Sequence, residues 1–376
     1  SDVGPVIDQR AANTLAKHVD YIAPRAKRHL TVPVSTELLK SGTYFTPQVF
    51  EIDDLGQLSR EVFGPILHII RYNIDELPAV IEQINSTGYA LTLGVHSRIG
   101  AMADYIYRNT RAGNTYINRN IIGAVVGVNP FGGQGLSGTG PKAGGPNYLH
   151  RFQTPLLNTE RELNQPVLTL STGQLEHRHH KTLAAAVDGC HEWAKLDMGI
   201  RGARLRDAIS RNDAQWGAAL SPVIEHLCSQ LSLATELPGP TGEENILSIH
   251  PRGVGLLLIH GNESLTALSA MSNVLLAAGN AVLLHAETPQ GQSLAQELHS
   301  ALQTSLPDAT LQLVLDAPLA ALLQATQITS VVCHTDNPIG LEVRKELAKR
   351  SGPITGLVEF DDGVLEPSRL DNYLSY

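Results

Sequence analysis

Val254-Gly255-Leu256-Leu257-Leu258-Ile259 is followed by His260-Gly261-Asn262-Glu263 and then by a helical pattern over 265–278. An unbroken apolar run of strand length suits a strand covered on both faces, and the turn after it leads into a helix. The alternation continues: strands are expected over 282–285, 311–315, 329–333 and 354–359, with helices over 292–303, 318–325 and 339–349 between them. Parallel neighbours need long crossovers, so five strands spaced by helices predict a doubly wound parallel sheet. Gly279 stands just past the first of these helices, where a helix C-terminus takes a positive φ.

Upstream of this block lie helical patterns over 179–193 and 205–231, then the turn-rich Leu237-Pro238-Gly239-Pro240-Thr241-Gly242. Residues 153–170 have no helical period, and their Thr, Leu and Pro content predicts an extended connection or flap. Residues 4–152 mix helical patterns with short β-branched runs, again α/β grammar. A helix is expected over 9–23, strands over 46–50, 66–72, 91–96 and 114–118, and helices over 75–84 and 101–109. The organisation read from sequence is therefore one α/β body over 1–152, a connection over 153–170, and a second, doubly wound body over 171–376.

The composition narrows the function. The chain has 376 residues, 42% hydrophobic and 17% charged, which at roughly 150 residues per domain suggests two or three domains with real cores. Its 28 Lys and Arg against 37 Asp and Glu leave a net charge of −9, and no basic run tracks a phosphate backbone, so no nucleic-acid partner is expected. Apolar runs are far shorter than the ~20 residues of a membrane span, so a soluble protein is expected. The three cysteines, Cys190, Cys228 and Cys333, are scattered and lack C-x-x-C spacing, which fits a reducing cytoplasm. The chain opens at Ser1 without a leader pattern, and is expected to be a piece of something longer.

Two segments stand out chemically. Asn129-Pro130-Phe131-Gly132-Gly133-Gln134-Gly135-Leu136-Ser137-Gly138-Thr139-Gly140-Pro141-Lys142-Ala143-Gly144-Gly145-Pro146 contains a literal G-x-G-x-x-G at Gly133, Gly135 and Gly138. No helix follows to aim its dipole at a pyrophosphate, so that match is discounted. So many glycines either make a flexible loop or let backbone approach another group, with exposed N–H groups forming an anion cradle. Ser137 lacks the flanking glycine of a nucleophile elbow. The second segment, Glu61-Val62-Phe63-Gly64-Pro65, reads as a turn before a strand, with a solvated Glu and a core Phe.

Together with Asp2-Val3-Gly4-Pro5-Val6-Ile7, the runs 61–72, 89–96, 123–145 and 237–243 resemble the aldehyde dehydrogenase superfamily downstream of its catalytic cysteine. Within it the chain is similar to the bifunctional proline-utilization branch, which joins a proline dehydrogenase module to an L-glutamate γ-semialdehyde dehydrogenase. The implied fold is α/β, an aldehyde dehydrogenase catalytic-domain portion plus a second aldehyde-dehydrogenase-like, Rossmann-like doubly wound domain with its end truncated. The implied activity is NAD-dependent oxidation of L-glutamate γ-semialdehyde to glutamate in proline catabolism, with FAD confined to the proline dehydrogenase module outside this chain.

By position, the resemblance gives Glu61 the nicotinamide-ribose hydroxyls, Phe63 the nicotinamide face, Gly144 and Gly145 the substrate α-carboxylate, and Phe152 the aliphatic part of the aldehyde. Lys142 has no role in that pattern. The nucleophilic Cys and the general-base Glu are expected upstream of Ser1, since none of the three cysteines sits in a Gly-Gln-x-Cys context, so no catalytic residue is assigned and the isolated chain is expected to be inactive. In the second domain, His260-Gly261-Asn262-Glu263 replaces the family's Trp-Asn-Phe-Pro, and His285 stands where an adenosine-ribose lysine belongs. That domain is expected to have lost dinucleotide binding and to cover the active site of the first. The resemblance also implies a homo-oligomer and a cytoplasmic protein, or one peripheral to the inner membrane through the missing module.

Other constellations are weak. Glu176, His177, His179 and His180 project to different helix faces, so no metal site is expected. Cys190 and His191 diverge likewise. The alternative to an enzyme fragment is a non-catalytic structural or interaction subunit that assembles with a partner carrying the cysteine.

Overall fold

A computed structural model describes residues 3–146, 148–149, 169–212, 221, 224–225, 228–229, 234–335, 337–360 and 374–375. Chain contacts divide it into two compact units, residues 1–88 with 99–111, and residues 89–98 with 112–376.

In the first unit the helix Gln9–Ile22 starts at Asp8, whose carboxylate accepts from the Ala11 N–H at 2.7 Å. This satisfies one of the amide groups a helix start leaves without a partner. The helix presents Leu15 and Ile22 to a core with Phe50, Ile52 and Ile66. Those last residues come from a three-stranded sheet ordered Lys27–Thr31, Gln48–Glu51, Ile66–Ile69, the first pair antiparallel and the second parallel. The sequence reading assigned nothing to 24–45. The wholly exposed Lys27–Thr31 strand and the short Thr36–Ser41 helix, capped by Ser35, carry too little apolar pattern to be read. The helix Leu77–Ser86, preceded by a short 3-10 turn, and the helix Gly100–Asn109 are tied through Asn85, which donates to Asn109 O at 2.8 Å and accepts from the Arg111 N–H.

In the second unit the five expected parallel strands are Val254–Leu258, Ala281–His285, Leu311–Leu313, Ile328–His334 and Leu357–Phe360. Their spatial order is third, second, first, fourth, fifth. Alternate residues of each strand feed opposite cores, as strand geometry requires. Leu257, Val282, Leu284 and Val332 pack with the helices Met198–Asn212, Leu265–Ala277 and Pro289–Leu302, whereas Leu256, Leu283, Val331 and Cys333 pack with His177–Ala194, Leu319–Gln324 and Gly340–Leu347. Helices on both faces make the sheet doubly wound. Each fully buried Leu or Val contributes about 1.5–3 kcal/mol. Gly279 takes the expected positive φ of 92°, and the buried Trp193 indole donates to Leu276 O at 2.7 Å.

The helix expected over 205–231 begins earlier, at Met198, and its described span ends at Asn212. The Asp197 carboxylate accepts from the Gly199 N–H at 2.7 Å, a start signal that apolar periodicity alone does not register. The same unit holds the parallel pair Thr92–Val95 and Asn114–Ile117, and the hairpin Thr235–Leu237 with Asn245–Leu247. Among the described residues no helix is long and apolar enough to cross a membrane.

Candidate functional site

The segment 60–65 reaches its position because Gly64 has no side chain. A β-carbon there would lie 2.5 Å from Leu15 Cδ1, so only glycine lets the backbone rest on the buried face of the Gln9–Ile22 helix. Gly64 O then accepts from the Ile66 N–H, and Pro65 O accepts from the Gln48 N–H to begin the parallel pairing. The result is a cleft of about 310 Å³ whose lining includes Asp8, Thr14, His18, Arg60, Glu61 and Phe63.

Glu61 is exposed, and Phe63 is 87% exposed rather than a core residue. The local reading of a core Phe fails because Leu15 and Ile66 already fill the space beneath the turn. An acceptor carboxylate and an uncovered aromatic ring two residues apart suit a sugar and a flat heterocycle. Beside them His18 Nε2 meets His68 Nε2 at 2.9 Å. Burial lowers the pKa of both rings, helped at His18 by Arg60 and at His68 by His18, so at least one ring is the neutral acceptor.

The glycine string is a folded loop in the second unit. Phe131 and Ala143 exchange both backbone hydrogen bonds at 3.0 Å. Gly133 and Gly138 press together so closely that a β-carbon on Gly138 would sit 2.5 Å from Gly133 O. Gly133 and Gly138 of the literal dinucleotide motif thus serve the loop's own packing, and Gly135, at a φ of 59°, pairs with Tyr89. Ser137 Oγ accepts from the Ala90 N–H at 3.0 Å, a structural role. Asn114 donates to Pro130 O and accepts from the Gly132 N–H, Asn129 donates to Asn245, and Arg252 donates to Thr139 O. Arg119 and Glu243 add an ion pair at 2.9 Å.

At the end of this loop Gly144 has a φ of +73° with open space at its β-carbon position. Among the described residues no acceptor takes its N–H. The Gly145 N–H donates to Lys142 O at 3.1 Å, so any further acceptor there would share it. Phe152 lies outside the described residues. Lys142, which the family pattern gives no role, is 7% exposed, and burial pulls its pKa down to about 8. It stands near the half-buried His250, whose pKa falls through burial and then through the Lys142 charge. A buried ammonium two residues before Gly144 places positive charge in the same loop. A lysine within a glycine run was the available signal.

The cysteines are poor nucleophiles. Burial pushes the Cys333 thiol far above its ordinary value and raises Cys228 as well, opposite to what an attacking thiolate needs. Cys190 is buried with Sγ donating to Gly279 O. His179 accepts from the Glu176 N–H at the start of its helix and contacts Asp316 at 3.3 Å, and among the described residues no group of three side chains could hold a metal ion.

Residues 1–155 match the model of the "Aldehyde dehydrogenase family". The chain is 35% identical over 376 residues to the "Bifunctional protein PutA" of Escherichia coli K12, covering 96% of this chain and 25% of that protein. It is 36% identical over 149 residues to the "1-pyrroline-5-carboxylate dehydrogenase" of a Geobacillus species, strain WCH70, covering 39% of this chain and 28% of that protein. A crystal structure of a Bradyrhizobium japonicum proline utilization A mutant is 52% identical with a TM-score of 0.38, over 40% of this chain and 15% of that one. The chain thus spans about a quarter of the length of the curated relatives it matches. The family model places residues 1–155 in the aldehyde dehydrogenase family, and along 96% of its length the chain is similar to the bifunctional PutA proteins.

Proposed function

We propose that this chain is the distal part of an NAD-dependent L-glutamate γ-semialdehyde dehydrogenase acting in proline catabolism, joined to a non-catalytic dehydrogenase-like domain over 171–376. The observation that carries this is the similarity to bifunctional PutA along 96% of the chain, which includes the glycine loop ending at Gly144 and Gly145.

NAD, when bound, supplies the hydride acceptor. The residues present suit it: the exposed Glu61 carboxylate accepts from the ribose hydroxyls, and the uncovered Phe63 ring gives the nicotinamide an apolar face. Gly144 offers its N–H to the α-carboxylate of the semialdehyde, and the buried Lys142 ammonium favours that anion electrostatically. Phe152 is assigned to the aliphatic part of the substrate on the resemblance alone. The nucleophile is assigned to polypeptide upstream of this chain, because a raised thiol pKa disqualifies Cys228 and Cys333, and Cys190 is committed to Gly279 O.

The isolated chain is therefore inactive in this reading, and it works in one polypeptide with its upstream part, as a homo-oligomer. Its location is cytoplasmic, or peripheral to the inner membrane through the FAD-dependent proline dehydrogenase module. The assay is NADH formation from L-glutamate γ-semialdehyde. The chain alone should give none, and the chain joined to the upstream dehydrogenase segment should give activity whose KM for NAD rises on Glu61→Ala. Turnover by the isolated chain refutes this reading.

A further inference from the structure

In the doubly wound sheet the strand order reverses between Val254–Leu258 and Ile328–His334. Ligands of such sheets sit outside the carboxyl ends of the strands at that reversal, with phosphate taken by amides of the first strand-to-helix turn. A crevice of about 170 Å³ lies there, lined by Leu258, His260, His285, Glu287, Leu319 and Asn337 among others.

The turn amides are already engaged by a negative charge from the chain itself. The His260 N–H donates to Glu263 Oε1 at 2.9 Å and to Oε2 at 3.2 Å, and the Gly261 N–H donates to Oε2 at 2.7 Å. Glu263 is 6% exposed, so this is an internal carboxylate. It occupies an oxyanion position at the start of the Leu265–Ala277 helix, where the macrodipole also favours negative charge.

A second group at the crevice is unmatched. His285 is 2% exposed, and its Nδ1 lies 2.8 Å from Val314 O. A carbonyl only accepts, so Nδ1 carries the proton and Nε2 is a bare acceptor with no partner among the described residues. Burial lowers the pKa of this ring, which keeps it neutral. Its free lone pair suits a hydroxyl donor, such as the sugar of a nucleoside diphosphate.

We propose that this crevice is an anion site held closed by its own carboxylate: Glu263 stands in for the ligand phosphate, and removing that one charge opens the site to a pyrophosphate group. The inference depends only on the geometry of this sheet and not on the dehydrogenase reading. The turn itself stays formed, since Gly261 keeps a φ of +118° and its amides point at Glu263, while the other carboxylate of the crevice, Glu287, accepts from the Ser171 N–H at 3.0 Å.

The test is calorimetric titration of the whole chain with inorganic pyrophosphate, for the native protein, Glu263→Ala and Glu263→Gln. The native chain should give no saturable heat at millimolar pyrophosphate. Both variants should bind at least ten-fold more tightly, with shifts in the His260 and Gly261 amide resonances, and ADP should outdo pyrophosphate if His285 Nε2 receives its sugar. Glu263→Gln keeps an amide oxygen for the turn, so it reads the charge alone should Glu263→Ala unfold. Equal binding by native chain and variants, or no binding by a folded Glu263→Gln protein, overturns the proposal.

Discussion

Gly64 and Leu15 touch so closely that the smallest added side chain at 64 would stand 2.5 Å from Leu15 Cδ1. Leu15 is itself core, 2% exposed beside Ile22 and Phe50, so it has no free room to yield. This contact sets the turn that carries Glu61 and Phe63. Gly64→Ala should destabilise the first unit by about 1–3 kcal/mol, the usual cost of overpacking. A thermal or urea unfolding curve of the whole chain checks it, and in the intact enzyme the same change should raise KM for NAD because the turn is displaced.

Glu61→Ala and Phe63→Ala should separate binding from stability. Both side chains are exposed, so unfolding midpoints should barely move. A hydrogen bond to a charged group contributes about 1.5–3 kcal/mol, so Glu61→Ala should raise KM for NAD roughly ten- to a hundred-fold in the intact enzyme. Steady-state kinetics with varied NAD reads this out, and an unchanged KM removes Glu61 from the cofactor site.

Gly144 occupies left-handed backbone, where an L side chain costs roughly 1–2 kcal/mol. Gly144→Ala should twist the amide offered to the substrate and raise KM for the semialdehyde about ten-fold while sparing KM for NAD. Gly145→Val should act by crowding, since its β-carbon position is already 3.1 Å from both Lys142 O and Pro130 Cβ. If both variants keep native kinetics with the semialdehyde, the carboxylate sits elsewhere.

Lys142 gives a pH signature. Burial lowers its pKa from 10.5 to about 8, so between those values the unfolded chain holds a proton that the folded chain has released. Stability must then rise with pH across that window, because the burial cost of the ammonium, in full force below about pH 8, is relieved. The shift corresponds to about 3 kcal/mol as an upper bound. Lys142→Met should be more stable than the native chain at pH 7, and the advantage should shrink by pH 10. Urea titrations at the two pH values decide it.

The doubly wound sheet was legible because strands such as Val254–Leu258 are apolar throughout and the helices between them carry a period, so local pattern and final burial agree. The helix start at Met198 was not, because its signal is one aspartate hydrogen bond. The site was legible as a set of residue types, and its geometry was not. Nothing in Glu-Val-Phe-Gly-Pro says that the Phe is exposed, and nothing in the glycine string says that the Gly145 amide is already shared with Lys142 O.

Sequence by itself determined the five strands of the doubly wound sheet, their crossovers, and the family resemblance of residues 1–155, because these depend on periodicity and on a long specific string. Tertiary structure alone decided which polar groups have partners. Burial of Lys142 beside His250, the bare Nε2 of His285 and the closing of the first turn by Glu263 all depend on what lies nearby in space. Free energies of charges and hydrogen bonds are set by neighbours and by water exclusion, and neither is written in chain order.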